Sequence, residues 1–141
     1  MTVDWIDDFF NGYAETFRSK SRGERLTKFS LPLTFLTASG PIAIGDEERL
    51  SANFDALMRR YERVGVVDWH HSVREIRALG EGIHLAELEW RFLDGNNEQI
   101  YACETSYILA GEGASSARVM AIIAHNENEE YEKALSRKTG V

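Results

Sequence analysis

Histidines, tyrosines and a single cysteine are the side chains of this sequence whose types could do acid–base, nucleophilic or ligand-binding chemistry. His70 and His71 are neighbours in a β-rich run, so they point to opposite faces and cannot chelate one ion together. No HxH or HExxH spacing occurs, and zinc sites want three or four convergent ligands, so no metal site and no cofactor is predicted. His125 lies near the end of the last predicted strand. It can act as a general acid or ligand contact, or simply bond a backbone carbonyl. Tyr13 carries a phenol which, beside a cavity, needs a hydrogen-bond partner or supplies one to a ligand. Cys103 sits mid-strand with no electropositive setting, so it reads as a small buried apolar residue.

The elements that must position these groups are mainly strands. Residues 66–79, 83–93, 98–110 and 117–126 read as four successive strands. Gly80-Glu81-Gly82 and Asp94-Gly95 mark the first two turns, because glycine accepts the positive φ that hairpins need. Side chains alternate along a strand, so Ala86, Leu88, Trp90 and Phe92 share one face while Glu87, Glu89 and Arg91 share the other. In the next strand Tyr101, Cys103, Thr105, Tyr107 and Leu109 oppose Ala102, Glu104 and Ser106. A sheet with one covered and one wet face gives this pattern, and Trp90 and Tyr107 should therefore face the helices together. The run from Val119 to Ala124 is apolar on both sides and should be central, or covered outside by a partner.

Two helical stripes precede the strands. Ile6, Phe9, Phe10, Tyr13 and Phe17 recur every three or four residues in a helix expected over 3–20, capped by Thr2. Leu50, Phe54, Leu57, Met58 and Tyr61 do the same between an N-cap at Asp46 and a stop at Gly65. A short second helix is expected over 21–28, broken by Gly23. Pro32 cannot donate to a ladder, which makes 33–37 at best an edge strand. Ile42-Ala43-Ile44 is a brief strand, and the last dozen residues look loosely attached. Helices gathered ahead of an antiparallel sheet indicate an α+β fold.

With 141 residues, one domain covering 1–141 is expected. A net charge of -7 argues against a nucleic-acid partner. No apolar run reaches the ~18 residues that would suggest a membrane span. No leader is visible, and one cysteine fits a reducing, cytoplasmic setting. The basic residues Arg18, Lys20, Arg22, Arg25 and Lys28 read as a solvated helix end.

The order of these features carries a resemblance. An aromatic first helix, a basic short helix and a proline-bearing segment are followed by Gly45-Asp46 opening a long helix. Leu79-Gly80 then ends a strand, Trp90 to Gly95 reads W-x-F-x-D-G, and Tyr107-Ile108-Leu109 follows. Over roughly residues 3–127 the chain resembles the nuclear transport factor 2-like superfamily, in its SnoaL-like and ketosteroid-isomerase-like branch. That resemblance implies a cone-shaped α+β barrel with helices in the concave face of a curved sheet, a pocket between them, and a homodimer formed through the sheet. Tyr13 matches the first-helix tyrosine of the isomerases. Their aspartate base does not carry over, since 34–40 offers only Thr37, Ala38 and Ser39, and no acid lies on the inner face of the two readable strands. For the dehydratases the candidates are His71, His84, His125, Tyr13 and Tyr107. The expected pocket is Phe9, Tyr13, Phe17, Phe35, Leu57, Trp90 and Tyr107, with Tyr13 and His125 as its chemical groups. The implied function is binding of a small hydrophobic molecule. The alternatives are a lyase or isomerase acting on a ring-containing substrate, and a dimeric interaction module with a filled cone.

Overall fold

A computed structural model describes residues 4–140 of the chain, so the expected cap Thr2 lies outside the described residues. The aromatic stripe makes α1 (Trp5–Ser19), which ends where Lys20 turns left-handed at φ 56°. Ser21 caps α2 (Arg22–Leu26) by accepting from the Glu24 N–H at 3.2 Å, and Gly23 lies inside this helix rather than breaking it. Then come β1 (Phe29–Thr37), β2 (Gly40–Ile44) and α3 (Glu47–Val64). Asp46 caps α3 through the Arg49 N–H at 2.8 Å, and Gly65 stops it at φ 87°. Four strands follow, β3 (Asp68–Gly80), β4 (Ile83–Leu93), β5 (Gln99–Ala110) and β6 (Arg118–Ala124), before α4 (Glu127–Thr139).

The six strands form one curved sheet in the order β2-β1-β6-β5-β4-β3. All neighbours are antiparallel except β1 and β6, which run parallel, so the expected antiparallel sheet is mixed at this one joint. The predicted edge strand at 33–37 is also corrected. β1 lies between β2 and β6, and β2 is the edge. Proline is tolerated because Pro32 falls in an irregular stretch: pairing with β6 shifts between Phe29 and Thr34, and pairing with β2 starts only at Leu33. The apolar β6 is central, as its two-sided composition requires.

The register sets the faces. Trp90 pairs with Cys103, Glu89 with Glu104 and Ala86 with Tyr107. Trp90 and Tyr107 are buried under α1, while Glu89 faces outward and pairs with Arg74 at 2.9 Å. Phe9 and Phe10 are 1% and 0% exposed. Burying each is worth ~1.5–3 kcal/mol, so packing against the sheet holds α1 in place more than helix propensity does. Arg18 fastens its far end, with Nε donating to Asp68 at 2.6 Å and Nη2 donating to the Trp69 carbonyl. The C-terminal helix α4 is not loose. Tyr131 and Ala134 of α4 are buried, and Arg137 donates to the Ile100 carbonyl at 3.0 Å. Among the described residues no helix is long and apolar enough to cross a membrane.

Candidate functional site

Between the helices and the concave face lies a narrow cavity of about 40 Å³. Its walls include Tyr13 and Phe17 from α1, Arg25 from α2, and Leu57 and Tyr61 from α3. The sheet adds Phe35, Trp69, Trp90, Thr105, Tyr107 and Ile122. Phe35, Leu57, Ala124 and Glu127 also line a wider adjacent groove of about 400 Å³, whose rim carries Asn53, Arg60 and Asn128. The arrangement is a throat behind a mouth. Aromatic rings fill most of the cone: Phe10 to Tyr107 is 4.7 Å between centroids, Tyr13 to Tyr107 5.7 Å and Phe17 to Trp69 5.4 Å.

Six of the seven expected pocket residues, Tyr13, Phe17, Phe35, Leu57, Trp90 and Tyr107, line the throat. Phe9 does not. Its ring is buried against Phe10 and Tyr13, with the Lys28 ammonium 5.3 Å from its centroid. His125 is not brought to Tyr13 either. Its Nε2 shares a hydrogen bond with Ser106 Oγ at 2.8 Å, in a separate outer groove with Arg74, Glu87 and Glu104. The physical reason is the strand period: Ser106 points away from Thr105 and Tyr107, which face the throat. His71 bonds Asp7 at 2.8 Å, and the His84 ring meets Trp5 edge-on, so these histidines are also outside the throat. No cluster of three or more metal-ligating side chains occurs among the described residues.

Polar groups not foreseen from the sequence take their place. Glu127, the first residue of α4, reaches the junction of throat and groove, where its Oε2 accepts from the Tyr61 hydroxyl at 3.2 Å. Burial raises its carboxyl above the ordinary value, although Arg60 and the Tyr61 hydrogen bond pull the other way. A carboxyl raised in this way is biased toward its protonated form, the direction a general acid or base needs. Nearby, Trp90 Nε1 donates to the Tyr107 hydroxyl at 2.8 Å, and burial raises that phenol well above its usual range. Tyr107 therefore stays neutral.

Arg25 is the second surprise, because it leaves the solvated basic patch and is 4% exposed. Its guanidinium carbon lies 4.4 Å from the Phe17 centroid, 4.9 Å from Tyr13 and Phe54, and 5.0 Å from Phe29. Such contacts are worth ~0.5–2 kcal/mol each, against several kcal/mol for burying an unpaired ion. They offset the burial in part, yet Nε and Nη1 still lack any acceptor among the described residues. Sequence carried one faint signal of Glu127: the acidic turn 127–130 ahead of Tyr131 and Ala134, spaced three apart, is a helix start.

A family model described as NTF2-like protein (DUF6841) matches residues 3–127. No curated protein matches the sequence. Among solved structures, Aln2 from Streptomyces aligns with a TM-score of 0.66 at 12% identity, over 92% of this chain and 93% of its own. A Nostoc punctiforme domain of unknown function with a cystatin-like fold aligns at 0.65 and 15%, over 100% and 89%. A ketosteroid isomerase-like protein from Erwinia carotovora atroseptica aligns at 0.62 and 9%, over 86% and 92%. At such identities the likeness speaks for the shared fold.

Proposed function

We propose that this chain, which belongs to the NTF2-like family DUF6841, binds a small and largely apolar molecule at the mouth of its cone. The observation that carries the reading is that the groove and the aromatic throat share Phe35, Leu57, Ala124 and Glu127 in their walls. The groove is of ligand size, and its wall is apolar with a few convergent polar groups, as small-molecule sites are. Tyr13 is the phenol that such a ligand would meet inside. The chain would act as one domain, in the cytoplasm, and as a homodimer through the outer face of the sheet. There Leu36 and Ile123 pair side by side, with Leu36 38% exposed. Native mass spectrometry of the purified chain tests the ligand: a one-to-one adduct is expected, and Leu57→Arg should remove it. Bare protein, together with no thermal stabilisation by small apolar probes, would favour a filled cone that serves only as an interaction module.

A second reading, a lyase or isomerase acting on a ring-containing substrate, rests on Glu127. A raised carboxyl beside a ligand site is the usual equipment of a general acid or base. The ketosteroid isomerase-like neighbour is compatible with this chemistry. Under this reading Glu127→Gln should bind ligand normally but turn none over.

A further inference from the structure

Two side chains of the throat wall carry buried donors with no acceptor among the described residues: Arg25 through Nε and Nη1, and Trp69 through Nε1. Both side chains line the same cavity, and Trp69 is only 3% exposed. Buried donors are almost always paired, so two such side chains in the wall of one small cavity, their donor atoms covered by protein, point to an oxygen acceptor that they turn to meet. Four aromatic rings crowd the guanidinium, and no carboxylate of the described residues forms an ion pair with it. Glu127 lines the same cavity and its carboxyl feels the Arg25 charge, but it makes no hydrogen bond or close ion pair with the guanidinium, so Nε and Nη1 stay without an acceptor. A planar guanidinium presents its N–H groups as a fork that matches a carboxylate.

We propose that the ligand is a monocarboxylate whose head group enters the throat, where Arg25 and the Trp69 indole N–H hold it, while its apolar body lies across Phe35 and Leu57. The inference rests on the ligand-binding reading and names the chemical class of that ligand. Size favours a carboxylate: about 40 Å³ is room for roughly three waters at ~10–15 Å³ each, close to a three-atom head group. A phosphate with four oxygens and more charge fits this space and its ring-lined walls less well. Burial disfavours the charged form of the Glu127 carboxyl at the junction, which lessens its repulsion of the head group. Arg60 beside it adds positive charge at the mouth.

Calorimetry and thermal shift on the full chain test this with benzoate and butyrate, their neutral amides, and inorganic phosphate and sulfate. The acids should bind at least tenfold more tightly than the amides, and the inorganic ions should have no effect. Arg25→Met, which keeps an apolar side chain in the ring cage, should erase the preference for acids while amide binding persists. Trp69→Phe removes one donor and keeps the ring. It should weaken acid binding severalfold and leave amides unchanged, so it decides the matter if Arg25→Met fails to fold. Equal binding of acid and amide would overturn the inference alone, and so would binding of phosphate as tight as that of the acids. Binding of neither acid nor amide would overturn the ligand reading with it.

Discussion

The Tyr61 hydroxyl donates to Glu127 Oε2 at 3.2 Å and so joins α3 to the first turn of α4. Burial raises the Glu127 carboxyl, which means that the folded chain keeps a proton the unfolded chain has already released. Folding therefore loses stability as pH climbs from the ordinary carboxylate range through the raised value. Urea titrations at about pH 5 and about pH 8 should show wild type losing more stability than Glu127→Gln. Parallel losses in the two proteins would mean that this carboxyl is not raised.

Two of the three cavity tyrosines, Tyr107 and Tyr13, should respond differently to removal of their hydroxyls. Tyr107→Phe strands the buried Trp90 Nε1 donor and should cost ~1–3 kcal/mol in chemical denaturation. Tyr13 takes no part in that bond, and Tyr13→Phe should stay within about 1 kcal/mol of wild type while weakening ligand binding. Equal costs would make the Tyr13 hydroxyl an ordinary part of the core.

Glycines offer a contrast that needs no ligand. At Gly111 φ is +131°, and an added Cβ would stand 2.6 Å from Ala117 Cα, a backbone atom that cannot swing aside. Gly111→Ala should cost more than ~1–3 kcal/mol, the usual range for backbone strain alone. Gly23 sits in α2 with nothing within 4 Å of a Cβ, so Gly23→Ala should stabilise by ~0.5–1 kcal/mol. Thermal melts that rank the two the other way would refute the backbone description at both sites.

The dimer is open to a direct measurement. Light scattering at micromolar concentration should give twice the 16.0 kDa chain mass. Leu36→Lys combined with Ile123→Lys should return it to one chain. A wild-type monomer would remove the sheet-face dimer.

Much of the scaffold was legible because its signals are local. Alternation placed Trp90 and Tyr107 on one face and Glu89 on the other, and Asp46 and Gly65 marked the ends of α3. What escaped depends on distant partners. Pro32 argued for an edge, but the irregular pairing that accommodates it involves β6, far along the chain. The stripe of α4 is only Tyr131 and Ala134, too thin to stand out among its charges. Arg25 looks like its basic neighbours until Tyr13, Phe17, Phe29 and Phe54 close around it. The place of His125 was not legible either, because whether a strand-end ring turns inward depends on the partner waiting there, here Ser106.

The parallel joint between β1 and β6 makes the last strand a keystone. Until residues 118–124 leave the ribosome, β1 and β2 form one hairpin, β3 to β5 form a separate meander, and each has an open inner edge. Open edges invite pairing with other chains, so a nascent chain stalled before Arg118 presents two sticky half-sheets. Inserting β6 closes both edges in one step. The same step delivers Glu127, three residues beyond Ala124, to the mouth of the throat. A carboxylate can thus find its seat only after the two halves have been riveted together.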